Sequence, residues 1–154
     1  MKAFSPIRKI LIAVEDSEYS EIAASYGFDF ARKLGAEVGL LHVNEPPVST
    51  PYTMDPMLGE PPIVMPEMIH AQEEASRNLL DRITEAFGQG CIIHRFVKTG
   101  NPTDEILLAA EAWNADMLIM GTHGRTGFDH FIAGSVAEKV VRKSKCPVLI
   151  VPNK

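Results

Sequence analysis

Residues 9–43 read KILIAVEDSEYSEIAASYGFDFARKLGAEVGLLHV, and this stretch decides the fold. Lys9 to Val14 is a short apolar run, closed by the acidic turn Glu15-Asp16-Ser17. Tyr19, Ile22, Tyr26, Phe30 and Leu34 then recur at helical spacing until Gly35 stops the pattern. In the second run, Glu37 to Val43, the apolar residues Val38, Leu40, Leu41 and Val43 are close to continuous, as in a strand covered on both faces. Strand, helix, strand in that order predicts a parallel pair joined by a crossover helix.

The same alternation continues to the end. Asn44 to Met65 interrupts it: with Pro66 this stretch holds seven of the eleven prolines, which suits neither a central strand nor a helix interior. A connection of about 20 residues without structure of its own reads as a mobile surface loop, a lid or a partner-binding segment. Pro66 fits a first helical turn, and Ile69, Ala75, Leu79, Ile83 and Phe87 carry an apolar stripe as far as Gly88 and Gly90. A third strand is expected over Cys91 to Val97. Asn101 as N-cap and Pro102 as first residue open the next helix, whose buried face is Ile106, Leu107, Ala110 and Trp113. The fourth strand is Asp116 to Met120. A last helix places Val136, Val140 and Val141 on one side and Arg142, Lys143 and Lys145 at its negative dipole end. Pro147 stops it before the fifth strand, Val148 to Val151.

Alternation of this kind predicts one open, five-stranded parallel sheet of order 3-2-1-4-5, with right-handed crossovers and helices on both faces. No internal repeat divides the chain, so residues 1–154 are expected to form a single domain. Ligands of such sheets bind at the carboxyl ends of the strands where the winding reverses, so the Glu15 turn and the segment after the fourth strand should meet in one crevice.

That segment, Gly121-Thr-His-Gly-Arg-Thr-Gly-Phe-Asp-His-Phe-Ile-Ala-Gly-Ser135, is punctuated by glycines and ends at a helix start. Glycines allow positive φ and a close backbone approach, while the helix start offers unpaired N–H groups and a positive dipole end. This is an anion site, suited to nucleotide phosphates. His123 and Arg125 are the side chains in it that bring positive charge to phosphate.

Composition bounds the alternatives. A 45% hydrophobic and 23% charged composition is ordinary for a globular protein, and a net charge of −5 disfavours nucleic acid as a partner. The longest apolar runs fall far short of the roughly 20 residues of a membrane span, and a cytoplasmic protein is expected. Cys91 and Cys146 lack a CxxC pattern and read as buried thiols. His42, His70 and His94 show no ligand spacing, and no protein-built metal site is expected.

The sequence resembles the universal stress protein family, in its nucleotide-binding branch, over nearly its whole length. The likeness starts at Ile10-Leu-Ile-Ala-Val-Glu-Asp-Ser-Glu-Tyr-Ser20, runs through Gly35-Ala-Glu-Val-Gly-Leu-Leu-His-Val43 and is strongest from Gly100 to Pro152. The branch's pattern of Gly, two residues, Gly, nine residues, Gly, then Ser or Thr is met by Gly121, Gly124, Gly134 and Ser135. The resemblance implies a Rossmann-like fold of the adenine nucleotide alpha hydrolase-like type. It further implies that Gly121 and Gly124 curl the loop over the phosphates of ATP, AMP or ADP. The N–H groups of Ser135 and Val136 and the Ser135 hydroxyl would hold phosphate oxygens. Met120 and Val43 would line the adenine pocket, and Ala13 would meet the base through its main chain. Glu15 stands where the branch has a ribose-facing aspartate, a departure of one methylene.

The resemblance therefore implies a stress-response regulator that binds adenine nucleotide, any Mg²⁺ arriving with the phosphates. A homodimer built on the Val148 to Val151 strand, and an unidentified protein partner, complete the expectation. Two alternatives are a slow ATPase or phosphotransferase, for which no Walker lysine follows the glycines, and an interaction module without nucleotide.

Overall fold

The computed structural model describes residues 5–47, 65–122 and 135–152. The elements run β1 (Lys9–Val14), α1 (Glu18–Leu34), β2 (Glu37–Asn44), α2 (Pro66–Phe87), β3 (Ile93–Thr99), α3 (Pro102–Trp113), β4 (Met117–Gly121), α4 (Val136–Lys143) and β5 (Val148–Val151). Every pairing is parallel and the sheet order is β3-β2-β1-β4-β5, as expected. The chain lays down β1, β2 and β3 in one direction, then returns to place β4 on the other side of β1. At that reversal Ile10 lies opposite Met117 and Ile12 opposite Ile119.

Period-two alternation sends neighbouring residues of each strand to opposite faces. Ile10, Ile12, Val14, Val38, Leu40 and Ile119 face α1 and α2, where Phe28, Leu79, Leu80 and Ile83 close one core. Leu11, Ala13, Leu41, Leu118 and Met120 face α3 and α4, against Ile106, Ala109, Ala110 and Val140. Each fully buried aliphatic side chain stabilises this arrangement by about 1.5–3 kcal/mol.

The helix faces differ from the expected stripes in an instructive way. On α1 the buried residues are Ser20, Ala23, Ala24, Gly27, Phe28 and Ala31, whereas Ile22, Tyr26 and Leu34 are exposed. The reason is proximity: a Cβ on Gly27 would lie 2.6 Å from Ile12 Cδ1, so small residues are needed where α1 comes nearest the sheet, and Phe28 fills the space beside them. On α4, Ala137 and Val140 are buried while Val136 and Val141 are exposed. On α2 the stripe is real from Leu79 onward, and Ile69 and Ala75 are exposed.

Two strand starts also shift. Cys91 still belongs to the turn, its N–H bonding the Gly88 carbonyl at 3.1 Å, so β3 starts at Ile93. Asp116 stands at the entry to β4, its carboxylate accepting the N–H groups of Arg8 and Lys9 at 2.9 Å each. Most of the proline-rich stretch, residues 48–64, lies outside the described residues. Among the described residues no helix is long and apolar enough to cross a membrane.

Candidate functional site

The carboxyl ends of β1 and β4 stand side by side. After β1 the turn Glu15-Asp16-Ser17 leads into α1, whose N-cap Ser17 accepts the Ser20 N–H at 3.2 Å. This cap satisfies a donor that the helix cannot. After β4, Gly121 packs against the first turn of α1: a Cβ there would lie 3.4 Å from the Tyr19 carbonyl oxygen. Gly121 is not among the described glycines with left-handed φ, which are Gly35, Gly90 and Gly100. The expectation of positive φ is therefore corrected at this position, and its role is the close approach of strand and helix. Thr122 continues the strand edge, donating its N–H to the Val151 carbonyl at 3.2 Å.

Val43, Ala13 and Met120 are the penultimate residues of three adjacent strands and belong to the same face, the one covered by α3 and α4. Ala13 and Met120 are buried and Val43 is half-buried. Ser135 is the N-cap of α4, its Oγ accepting the Glu138 N–H at 3.1 Å. An accepting hydroxyl keeps its own proton, which remains a donor to a second group. Val136 and Ala137 open the helix, and their N–H groups have no acceptor within it. Of the residues expected in the site, Ala13, Glu15, Val43, Met120, Gly121, Ser135 and Val136 are thus placed, while His123, Gly124, Arg125 and Gly134 lie outside the described residues.

Asp16, next to Glu15, is engaged elsewhere: it accepts a hydrogen bond from Arg82 of α2 at 2.9 Å. That bond is the leading cause of a raised Arg82 pKa, with Glu21 adding attraction at 3.4 Å. His94 bonds Glu37 at 2.8 Å on the surface. Both cysteines are free and half-buried, not fully buried as expected; Cys146 Sγ lies 3.5 Å from Ser144 Oγ.

Sequence reading misses a buried polar set beneath β1. His42 Nδ1 lies 2.8 Å from the Val14 carbonyl oxygen and Nε2 lies 3.2 Å from Asn44 Oδ1. The Asn44 amide in turn donates to Ser76 Oγ at 2.8 Å, and Ser76 donates to the Gln72 carbonyl at 2.8 Å. Ser20 Oγ accepts the Glu15 N–H at 2.9 Å. The signal that could have found them is alternation: His42 and Asn44 share the parity of Val38 and Leu40, which places them on a helix-covered face.

The sequence profile of the universal stress protein family matches residues 6–152. Universal stress protein MJ0577 of Methanocaldococcus jannaschii is 31% identical over 155 residues, covering 96% of each chain. A solved structure of MJ0577 superposes with a TM-score of 0.77 at 28% identity, covering 97% of this chain and 99% of that one. Two more distant structures share the fold. A universal stress protein solved in complex with cAMP has a TM-score of 0.68 at 22% identity, covering 96% of this chain and 98% of its own. An Archaeoglobus fulgidus universal stress protein solved with dAMP has a TM-score of 0.60 at 21% identity, covering 95% and 98%.

Proposed function

The chain belongs to the universal stress protein family, and from that premise we propose that it is a regulatory protein that binds an adenine nucleotide between β1, β4 and the start of α4. The carrying observation is the meeting at the sheet reversal of an apolar floor, a side-chain-free strand end and a helix N-terminus. Ala13, Val43 and Met120, neighbours on one apolar face of the sheet, are proposed to line the base pocket. Gly121 lets the end of β4 lie against the first turn of α1, and the N–H groups at the start of α4 with the Ser135 hydroxyl suit an anion. Relatives of the same fold solved with cAMP and dAMP support an adenine nucleotide as the ligand class. ATP is the form proposed, with Mg²⁺ arriving on its phosphates, and His123, Gly124, Arg125 and Gly134 completing the phosphate end.

The readout is proposed to be a homodimer joined along β5. That strand pairs with β4 alone among the described residues, and a bare apolar edge favours pairing with a second copy. The test is direct: purified protein is denatured, the released small molecules are analysed, and the stripped protein is titrated with ATP, ADP, AMP and cAMP. Saturable binding of at least one of them is expected. Absence of both released nucleotide and measurable affinity would sink the reading and leave an interaction module.

A further inference from the structure

The peptide unit joining Val14 to Glu15 is gripped at both of its polar atoms by side chains. Its carbonyl oxygen lies 2.8 Å from His42 Nδ1, and its N–H donates to Ser20 Oγ at 2.9 Å. Both gripping residues are buried, His42 at 5% exposure and Ser20 at 4%. The carbonyl is only an acceptor, so Nδ1 carries a proton. Neither grip belongs to the sheet ladder. Val14 and His42 form the last residue pair between β1 and β2, and Glu15 lies one residue beyond it.

A peptide plane is rigid, so fixing its two polar ends fixes the ψ of Val14 and the direction of the Glu15 N–Cα bond. The far side of Glu15 is held by the Ser17 N–H, which bonds the Glu15 carbonyl at 2.9 Å, and the two restraints together set the direction in which the Glu15 side chain leaves the sheet. The grip is itself braced, because His42 reaches Ser76 of α2 through Asn44. Buried side chains of this polarity carry a desolvation penalty that a leucine or alanine would avoid, and a plain strand end needs no such clamp.

Resting on the nucleotide-site reading above, we propose that His42 and Ser20 are positioning residues for that site: they clamp the Val14–Glu15 peptide and thereby aim Glu15 at the ligand. The clamp gives the longer glutamate one direction from which to reach the sugar. Binding then depends on two groups that never touch the nucleotide.

Paired variants separate the clamp from simple core stability. Asparagine at 42 keeps a donor near the Nδ1 position, whereas glutamine places its amide nearer Nε2. Threonine at 20 keeps the acceptor, whereas alanine removes it. His42→Gln and Ser20→Ala are each expected to weaken ATP binding about tenfold, and His42→Asn and Ser20→Thr by less than about threefold. Urea midpoints are measured on all four. Affinity that follows the unfolding midpoint, regardless of which hydrogen bond is kept, overturns the proposal.

Amide exchange at Glu15 in the ligand-free protein provides a second arm. Exchange there should quicken about tenfold or more in His42→Gln and Ser20→Ala while the slowest core amides keep their order. Unchanged exchange at Glu15 in both variants overturns the clamp whatever the affinities are. If the wild type binds no adenine nucleotide, the functional reading fails, and this arm alone decides whether His42 and Ser20 orient Glu15.

Discussion

At the scale of single residues, Gly121 and Glu15 carry opposite kinds of information. Gly121 is a spatial feature: a Cβ there would just touch the Tyr19 carbonyl oxygen at 3.4 Å, which leaves room for a methyl and for little more. A valine there adds two further carbons, yet strand geometry tolerates it. Gly121→Val is expected to lower nucleotide affinity by more than about tenfold, because its two further carbons press on Tyr19 and Ala23 and push the end of β4 away from the first turn of α1. Calorimetric titration beside a denaturation curve checks this, and retained affinity would place the phosphates elsewhere. Glu15 is proposed as a chemical requirement. Glu15→Ala should cost about tenfold in affinity, the value of a lost hydrogen bond to a charged group, whereas Glu15→Asp should stay within about threefold. Equal binding by wild type and Glu15→Ala would remove Glu15 from the site. Both residues are legible in the amino-acid sequence alone, since glycine spacing and an acidic turn are local features. His42 is not legible there as a site component, because its role depends on β1 and β2 being paired in register with Val14 opposite it.

At the scale of elements, periodicity yields the number, order and type of helices and strands but misreads the face of α1. Large apolar residues mark the expected stripe, yet a helix lying close on a sheet selects small ones. Ala23, Gly27 and Ala31 follow helical spacing just as well, with Phe28 filling the gap beside them. The misreading comes from weighting hydrophobicity above volume, and close packing reverses that order where backbones approach. The contact itself is testable. Gly27→Ala gains helix propensity of about 1 kcal/mol but sets a methyl against Ile12 Cδ1, at 2.6 Å if nothing shifts. Overpacking should win, with a net loss of about 1–2 kcal/mol. Ile12→Val removes the opposing carbon and should cost about 1 kcal/mol alone, and clearly less in the Gly27→Ala background. A double-mutant cycle from urea denaturation measures this coupling, and strictly additive effects would show that α1 does not rest on Ile12.

At the scale of the whole molecule, the two sheet edges are treated differently by the sequence. β3 bears His94, Arg95 and Lys98, and charged side chains along an edge discourage pairing with another chain. β5 reads Val-Leu-Ile-Val with no charge at all. α1 and α4 flank this side of the sheet and leave Ile22, Tyr26 and Val141 exposed at 41%, 57% and 48%. The large apolar residues on the outer face of α1 are therefore the ones a second copy would cover. A net charge of −5 keeps separate copies apart at long range only weakly, since screening limits it to about 8 Å at physiological salt. The wild-type protein is expected to sediment as a dimer at micromolar concentration. Tyr26→Glu combined with Val141→Glu should yield monomers, because each replacement buries a charge in the contact yet leaves a lone chain's core untouched. The monomeric variant should keep its helical circular dichroism and, if the nucleotide site is built within one chain, its ATP affinity to within about threefold. A monomeric wild type removes the dimer from the proposed readout. A dimer that persists in the double variant moves its contact away from the β5 side, and nucleotide binding lost together with the dimer would make the site depend on the second copy.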